Sequence, residues 1–372
     1  MNIKSINTLL VPVPTIRAHK LSCTVMNEQV LVLVHIETND GLEGWGEATT
    51  IGGLSYAEES PHSIKTNIDA YFTPLLLQEQ PSNVAEAMKL LNKNIHGNRF
   101  AKSAVETALL DIQGKRLGLP ISELLGGRVR DRVEVAWTLA SGDTETDIAE
   151  AKRVINERKH RIFKLKIGSN SVDQDVAHVL EIKKALGEYR VIVDINQAWT
   201  ELQCLDGISR LQEGGVALIE QPISQRNKAG LKRLTDRFNV AIMADEIVQD
   251  PQNAFWLAAE HCADVFAVKI NQAGGLTNAC LIGKIAALAG VDLYGGTMLE
   301  GPIGTIASAH AFSTFPTLAY DTELFGPLLL TDTILKQPLE YKDFGLVIPN
   351  KPGLGIEVDK EKVYLLAKES KI

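Results

Sequence analysis

The sequence has little cysteine and no excess of positive charge, and each shortage excludes a class of protein. Its four cysteines among 372 residues form no C-x-x-C pair and no cluster with metal-binding spacing, so we expect free buried thiols and not a disulfide framework. The formal net charge of −8 argues against a nucleic-acid surface, which is normally basic. An anionic substrate would therefore need local attraction from a metal ion or from lysines.

The sequence contains no long apolar run, and we expect no signal peptide. No apolar stretch approaches the roughly 20 residues that cross a bilayer. Residues 1–4 lack the charged, apolar and small-residue regions of a signal peptide. We therefore expect a soluble, cytoplasmic protein with no membrane partner. A length of 372 residues with 45% hydrophobic content predicts a large core and more than one domain.

The first third of the chain has the pattern of an α+β domain. Residues 3–11 and 29–37 have strand patterns, and the turn at 39–41 predicts a hairpin into residues 42–48. Helical patterns follow near 62–77, 84–95 and 100–117. Strands followed by helices predict a separate α+β domain, which we place at residues 1–130.

From residue 133 onward, strands and helices alternate about every 25 to 30 residues, which predicts a (β/α) barrel at residues 131–337. The strands are almost continuously apolar, as expected for a parallel sheet that is buried on both faces. Residues 338–372 are rich in turn residues, and we expect them to pack back on the first domain. The eight predicted strands lie at 133–137, 163–167, 191–195, 216–220, 241–245, 264–270, 291–295 and 317–322.

Five successive strands of this barrel end in a charged residue. The carboxyl ends of barrel strands converge on one face, so these charges are predicted to meet there. A single strand-end acid is explained equally well as a cap of the following helix, but three in register favour a divalent cation site. Carboxylates suit Mg²⁺ or Mn²⁺. The absence of histidine from these strand ends counts against zinc. The series is Lys166, Asp194, Glu220, Asp245 and Lys269, at intervals of 24 to 28 residues.

Two lysines are predicted to point into the barrel mouth from a single strand. Lys164 and Lys166 lie two residues apart, and alternate residues of a strand share a face. The alternative, two solvated lysines, fits less well because apolar residues alternate with them. A neighbouring cation lowers the pKa of a lysine, which suits it to move protons near neutral pH. Lys269 would bring a further ammonium group from a strand nearly opposite.

Further candidates lie around this set. Asn196, Gln221 and Glu246 follow the three acids and could support them. Glu323, at the end of the eighth predicted strand, could act as an acid or polarise a substrate carbonyl. The glycine-rich segment 294–301, which includes Thr297, would let backbone approach a ligand closely.

Two loops of the first domain are predicted to form a lid. One covers residues 15–20 and carries Arg17, His19 and Lys20, for which a solvated loop is a close alternative. The other covers residues 51–56 and is small and glycine-rich, as lids often are.

Laid out in this way, the chain resembles the enolase superfamily, and within it the muconate-lactonizing subgroup. The similarity covers essentially the whole length. It implies a modified TIM barrel, (β/α)7β-like, with an N-terminal α+β capping domain that the C-terminal segment completes. Ile247 departs from the family pattern, because serine is common after the third acid and its neighbour. The similarity is strongest at residues 46–53, 137–143, 163–168, 296–301 and 322–331.

The resemblance implies a role for each charged residue. It places a divalent metal, usually Mn²⁺ or Mg²⁺, on Asp194, Glu220 and Asp245. It makes Lys166 the residue that transfers the proton, with Lys164 as its electrostatic partner.

The resemblance also implies the rest of the site and an assembly. It places Lys269 on the opposite side of the substrate and adds Glu323 as a further active-site acid. It implies a homo-oligomer, often an octamer. The residues that we expect to bind substrate or form the lid are Ile51, Tyr56, Arg17, His19, Lys20, Asn196, Thr297 and Phe325.

The implied reaction closes cis,cis-muconate to muconolactone, in the catechol branch of the β-ketoadipate pathway. A preference for chloromuconate is the nearest alternative, although Ile51, Tyr56 and Phe325 look more like enzymes of the unchlorinated substrate. A dipeptide epimerase is another, because Asp321 and Glu323 slightly resemble its paired acids. A non-catalytic metal- or ligand-binding relative is a further alternative, but it would have no need for three carboxylates and three lysines. A glycosidase that uses a pair of carboxylates is also possible, but the lysines at opposite strand ends count against it.

Overall fold

The computed structural model describes residues 2–20 and 24–369, and the side chains of Lys20, Lys368 and Glu369 lie outside that description. Cys23, a predicted free thiol, also lies outside it. Cys204, Cys262 and Cys280 are free and buried. None of the described helices is both long and apolar enough to cross a membrane.

The N-terminal part begins with a three-stranded antiparallel sheet in the order β1-β2-β3. The strands are β1 (Ile3–Lys20), β2 (Val25–Thr38) and β3 (Glu43–Ala48). The prediction that residues 15–20 form a loop is wrong, because they continue β1. His19 and Lys20 pair with β2 beyond a register shift, so the chain stays extended. The pairing of a long hairpin outweighs the local loop signal.

Helices pack on one face of this sheet. A π-helical turn, Ile68–Phe72, separates α1 from α2. The longest helix crosses the sheet very closely, since a Cβ added at Gly46 would lie 1.8 Å from the Ala104 carbonyl oxygen. The helices are α1 (Pro61–Asn67), α2 (Thr73–Glu79), α3 (Val84–Asn94), α4 (Arg99–Leu117) and α5 (Ile121–Leu124).

Seven parallel strands then form a curled sheet in which neighbours in sequence are neighbours in space. The segment at 133–137 does not form one strand. It divides into β4 (Arg132–Glu134), which belongs to a small separate sheet, and the first barrel strand. The barrel strands are β5 (Trp137–Leu139), β6 (Ile162–Lys166), β7 (Arg190–Asp194), β8 (Leu218–Glu220), β9 (Ala241–Ala244), β10 (Val265–Val268) and β11 (Asp292–Gly295).

The predicted eighth strand at 317–322 is wrong for this part of the described chain. The backbone turns at Asp321, where φ is 63°, so an extended segment cannot run through it. Within this segment, only Thr322 forms β-bridges, a parallel one to Gly295 and a parallel one to Val135. These two bridges close the barrel at the position that an eighth strand would take.

Helices follow the barrel strands as in consecutive β/α units. The first turns of two of these helices donate backbone N–H groups to glutamates of the N-terminal part. The helices are α6 (Thr144–Asn156), α7 (Val172–Leu186), α8 (Glu201–Glu213), α9 (Lys228–Arg237), α10 (Pro251–Ala259), α11 (Ile270–Ala273), α12 (Leu276–Ala289) and α13 (Pro302–Phe312).

The C-terminal segment contacts both parts of the molecule. After α14 (Gly326–Leu329), strands β12 (Tyr341–Lys342) and β13 (Gly345–Val347) join β4 in the small sheet. The last helix, α15 (Lys360–Glu369), packs against β1. The division at residues 130 and 337 stays a prediction.

Candidate active site

The alternation of side chains along the barrel strands decides which charged residues face inward. A separate apolar cluster fills the barrel interior, with Ile162, Ile192, Leu218, Met243 and Val265 among its members. Alternate residues of a strand share a face, so the residues two and four positions beyond these point the same way. The charged residues that share this inner face are Lys164, Lys166, Asp194, Glu220, Asp245 and Lys269.

Lys164 lies deepest in this charged layer. Its side chain is 1% exposed, and its Nζ lies 2.6 Å from Glu220 Oε2 and 3.6 Å from Asp194 Oδ2. It also donates a 2.8 Å hydrogen bond to Glu323 Oε2. Thr138 Oγ1 donates to the other oxygen of Glu323 at 2.9 Å. Lys164 is therefore enclosed by three carboxylates, one of which Thr138 orients.

The two other lysines each pair with one acid, on different sides of the layer. Lys166 Nζ donates to Asp194 Oδ2 at 2.7 Å. Lys269 Nζ donates to Asp245 Oδ2 at 2.6 Å and to the hydroxyl of Tyr56 at 2.8 Å. The same hydroxyl donates to Asp245 Oδ2 at 2.8 Å, so the Tyr56 side chain joins the 51–56 loop to the barrel.

The pKa of Lys166 is raised, and the prediction that its neighbours lower it is wrong for this arrangement. Burial and the Lys164 ammonium both lower this pKa, but the nearby Asp194 carboxylate outweighs them. The pKa of Lys164 is raised well above its usual value, because Glu220 and Glu323 outweigh burial. Both lysines are therefore ammonium groups at neutral pH.

The acids also shift one another. Burial raises the pKa of Asp194, but Lys166 and Lys164 outweigh it and bring that pKa down to about 2. Burial and then the charge of Asp194 raise the pKa of Glu220 well above its usual value. Burial, Asp245 and Asp194 likewise raise the pKa of Glu246 to about 8. The carboxylates repel one another, and a bound cation would relieve this repulsion.

The donor set of this layer fits a divalent cation. Glu220 Oε1, Asp245 Oδ1 and Glu246 Oε2 are buried and have no hydrogen-bond partner among the described residues. Buried carboxylate oxygens without a donor are costly unless a cation satisfies them. Hard oxygen ligands of this kind suit Mg²⁺ or Mn²⁺.

A second acidic group lies on β2 and β3 of the N-terminal sheet. His35, Glu37 and Glu43 offer ligand atoms that all lie within 4.8 Å of one another, and no other group in the described chain is that tight. Lys4 and Lys360 already pair with its two glutamates. We favour the barrel acids, because their oxygens lack partners and face the lysines.

The loops that follow the acids hold them in place. Asn196, at a φ of 44°, donates its backbone N–H to Asp194 Oδ1 at 2.9 Å. Its side-chain amide donates to Glu246 Oε1 at 3.3 Å. Gln221 accepts the backbone N–H of Asp245 at 3.0 Å, which makes it a structural support of the third acid.

A small cavity of about 10 Å³ lies above the lysines. This volume holds no more than about one water molecule, so a dicarboxylate can enter only if part of the lining moves. A larger groove of about 870 Å³, lined by Glu106 and Lys284, lies away from the charged layer, whereas one of about 480 Å³ reaches Tyr56 and Glu246 at its edge. The cavity is lined by Ile51, Tyr56, Lys164, Lys166, Lys269, Thr297, Leu299 and Glu323.

Of the remaining predicted binding residues, Arg17, His19 and Phe325 lie near this cavity. Arg17 donates to the Thr138 carbonyl at 3.0 Å, and its guanidinium lies 5.9 Å from the centre of the Trp137 ring. The His19 ring lies 6.1 Å from that of Phe325, and neither of its nitrogens has a hydrogen-bond partner among the described residues. Burial, Lys166 and Arg17 lower the pKa of His19 to about 3. His19 is therefore a neutral imidazole in reach of the site.

Two family models together match most of this chain. One, described as the mandelate racemase/muconate lactonizing enzyme N-terminal domain, matches residues 5–126. The other, described as enolase C-terminal domain-like, matches residues 146–363.

The chain belongs to the enolase superfamily. Muconate cycloisomerase 1 of Acinetobacter baylyi is 64% identical over 97% of this chain and 98% of its own. The crystal structure of the Pseudomonas fluorescens muconate lactonizing enzyme, complexed with muconolactone, superimposes with a TM-score of 0.96 at 56% identity, over 98% of this chain and 99% of that one. The chloromuconate cycloisomerase of Delftia acidovorans is 42% identical over 98% of each chain.

Ile247, the position that departs from the superfamily pattern, leaves the third acid well supported. The Asp245 carbonyl accepts from Gln272 Nε2 at 2.7 Å and from the backbone N–H of Val248 at 2.9 Å. Its own N–H donates to Gln221. None of these bonds involves the side chain of residue 247.

Sequence reasoning missed three residues of the site. Thr138 orients Glu323, Leu299 lines the cavity, and Gln272 holds the Asp245 loop. Thr138 and Leu299 lie in segments that resemble the superfamily, which was the available signal. Gln272 gave none, because its position depends on how α11 packs.

Proposed function

We propose that the protein is an isomerase that converts cis,cis-muconate to muconolactone, an intramolecular lactonization. The observation that carries the proposal is the lysine arrangement, with Lys164 and Lys166 on one side of the cavity and Lys269 on the other, next to three acids. The identity of 64% with a full-length muconate cycloisomerase supports this substrate over a chloromuconate, for which the identity is 42%.

Asp194, Glu220 and Asp245 are proposed to hold Mn²⁺ or Mg²⁺. Such an ion would stabilise the negative charge that develops on one substrate carboxylate as the other adds to the double bond. The buried oxygens of Glu220 and Asp245 that have no hydrogen-bond partner among the described residues support this assignment.

Lys166 is proposed to deliver the proton. One substrate carboxylate oxygen forms the new C–O bond, and the α carbon of the other carboxylate takes a proton from the Lys166 ammonium. The raised pKa keeps Lys166 charged and ready to donate. In the reverse direction the neutral amine takes this proton back. Charge withdrawn from Asp194 by a bound cation would lower the pKa of Lys166 and permit this return.

The other charged residues are proposed to assist without moving the proton. Lys164 tunes Lys166 electrostatically, and Glu323 holds Lys164 in place through their 2.8 Å hydrogen bond. Lys269 faces them across the substrate.

The walls of the cavity are proposed to fold the dianion into a reactive shape and exclude water. Because the attacking carboxylate is tethered, correct orientation supplies much of the rate. Ile51, Tyr56 and Thr297 line the cavity, and Phe325 packs against His19 beside it. The neutral His19 ring, with free donor capacity, is proposed to bind the distal carboxylate.

Three further binding residues keep weaker roles. Arg17 adds positive charge behind His19, and Asn196 positions Asp194. Lys20 stays a predicted lid residue, because its side chain lies outside the described part. The cytoplasmic location and a homo-oligomer, an octamer by family resemblance, also stay predictions.

The epimerase alternative loses its main support. Asp321, which would form the acid pair with Glu323, instead pairs with Arg190 at 3.1 Å. Arg190 begins β7, at the end of the strand opposite Asp194, so Asp321 lies away from the charged layer.

The decisive experiment follows the ultraviolet absorbance of cis,cis-muconate with purified protein and Mn²⁺, in parallel with a chloromuconate. We expect the absorbance to fall with the unsubstituted substrate, and more slowly with the chlorinated one. Lys166→Ala should abolish the fall while Mn²⁺ binding persists. Near-normal activity of Lys166→Ala would falsify the assignment, and no activity of the parent protein on either substrate would redirect attention to other α-proton reactions.

A further inference from the structure

A buried glutamate of the N-terminal sheet binds the start of a barrel helix. Glu47, on β3, has no solvent exposure. Its Oε1 accepts the backbone N–H of Gly301, and its Oε2 accepts those of Ile303 at 3.0 Å and Gly304 at 2.9 Å. These groups form the N-terminus of the eleven-residue helix α13, where unpaired N–H groups attract an anion. Burial raises the pKa of Glu47 to about 8, but its two oxygens accept three backbone N–H groups, the pattern of a carboxylate. Glu47 therefore joins the two parts of the molecule.

Two neighbours of Glu47 bind the segment just before that helix. Gln29 Nε2 donates to the carbonyls of Met298 and Leu299 at 3.1 and 2.9 Å. Thr49 Oγ1 donates to the Met298 carbonyl at 2.9 Å. Three N-terminal side chains thus bind five backbone groups of residues 298–304, a contact that we call the interdomain clamp.

The bound segment forms one wall of the substrate cavity. Thr297 and Leu299 line that cavity. Leu299 has a φ of 57°, which a leucine adopts only under outside constraint. The clamp contributes to this constraint through the Leu299 carbonyl, and Thr297 Oγ1 contributes by accepting the Leu299 N–H at 2.9 Å. The facing wall begins close to the clamp, since Ile51 lies two residues after Thr49.

We propose that Glu47 is a positioning residue that fixes the spacing between the Ile51 wall and the Thr297–Leu299 wall, and so sets how wide a muconate the site accepts. This inference rests on the proposed function, because its measure is the choice between muconate and a chloromuconate. If Glu47 only stabilised the fold, its substitution would leave the preference between these two substrates unchanged.

Glu47→Gln tests the clamp with little change in shape. Both oxygens of Glu47 accept N–H groups, so a glutamine amide placed there in either orientation turns its NH₂ towards a backbone donor. The α13 start must then shift. Thr49→Val is a milder second variant, which removes one hydrogen bond while keeping the side-chain shape.

Glu106 supplies a matched control. It is also a buried glutamate of the N-terminal part, on α4, and its Oε2 accepts the backbone N–H of Thr277 at 3.2 Å at the start of α12. It does not line the cavity. Glu106→Gln should therefore disturb a helix start without disturbing a substrate wall.

The measurement is kcat and KM for cis,cis-muconate and 2-chloromuconate, with thermal melting of each protein. For Glu47→Gln we expect KM for muconate to rise about 10-fold, kcat to change less, and the preference for muconate to fall about 5-fold, within the range of a changed hydrophobic wall. Thr49→Val should shift both quantities in the same direction by less. Glu106→Gln should leave KM and the preference unchanged.

The outcomes separate the two proposals. If the parent protein converts neither substrate, the proposed function fails and this inference fails with it. If the parent is active and Glu47→Gln melts earlier but keeps both KM and the preference, Glu47 is structural only and the inference is overturned. If Glu47→Gln does not fold, Thr49→Val decides in the same way.

Discussion

The two sides of the charged layer hold lysines in similar settings but connect them to different partners. Lys166 ends β6, Lys269 directly follows β10, and each donates to one acid, at 2.7 and 2.6 Å. Burial lowers both pKa values, yet Asp194 and Asp245 respectively raise them above the usual lysine value. By charge alone the two residues are equivalent.

Their surroundings differ. The Lys166 side chain is 10% exposed towards the cavity, against 4% for Lys269. Lys269 is held by a second hydrogen bond to Tyr56, whereas Lys166 has a second lysine, Lys164, beside it. A residue that passes a proton to carbon needs a free path to it, which favours Lys166. The comparison teaches that contacts, and not charge, assign the roles.

The largest expected effect comes from removing each ammonium in turn. Lys166→Met should lower kcat by at least about 10³-fold, because no other described cation lies so open to the cavity. Lys269→Met should lower it by about 10²-fold through loss of electrostatic support. Single-turnover kinetics with muconate would measure both. Equal losses would contradict the division of roles.

The acids next to the two lysines give the second test, through metal binding. A ligand that binds only the folded state raises its melting temperature. We expect Mn²⁺ to raise that of the parent protein, and Asp245→Asn to abolish the rise. Glu43→Gln alters the group of His35, Glu37 and Glu43 instead and should keep the rise in melting temperature. A rise lost only in Glu43→Gln would place the ion outside the barrel.

The third test uses His19, which lies on the Lys166 side. Its folded-state pKa of about 3 lies below the usual 6.5, so the unfolded chain takes up a proton first as pH falls. Stability from this group is therefore complete above pH 6.5 and is lost as pH falls towards 3. At pH 5 the loss is on the order of 2 kcal/mol.

His19→Phe should remove that part of the pH dependence. Urea unfolding of both proteins at pH 7 and pH 5 measures it. An identical loss in parent and variant would show that His19 is not buried as a neutral ring.

Much of the site was predictable, because strand alternation is a property of the sequence. Lys164 and Lys166 lie two residues apart, so they share one face of their strand, and each acid ends an apolar run. Once the barrel was predicted, the convergence of these side chains followed. The pKa direction of Lys166 was not predictable. It depends on Asp194 lying 2.7 Å away, a distance that follows from the parallel pairing of β6 and β7.

The failures of prediction share a cause. Residues 15–20 have loop composition but are held in β1 by pairing with β2. Residues 317–322 have a strand pattern but turn at Asp321, so only Thr322 closes the barrel. In both cases contacts from distant residues decided the backbone, and the local pattern could not contain them.

The smallest expected effect concerns the Tyr56 hydroxyl, which binds Lys269 and has no counterpart at Lys166. Tyr56→Phe removes one bond to Lys269 and one to Asp245 while keeping the ring that covers the cavity. We expect kcat/KM for muconate to fall by about 5-fold, a free-energy change close to that of losing one or two hydrogen bonds of ordinary strength. Lys269, freed of this partner, should then resemble Lys166 more closely. The double variant Tyr56→Phe with Lys269→Met tests this coupling, because the two effects multiply only if the hydroxyl does not act through Lys269.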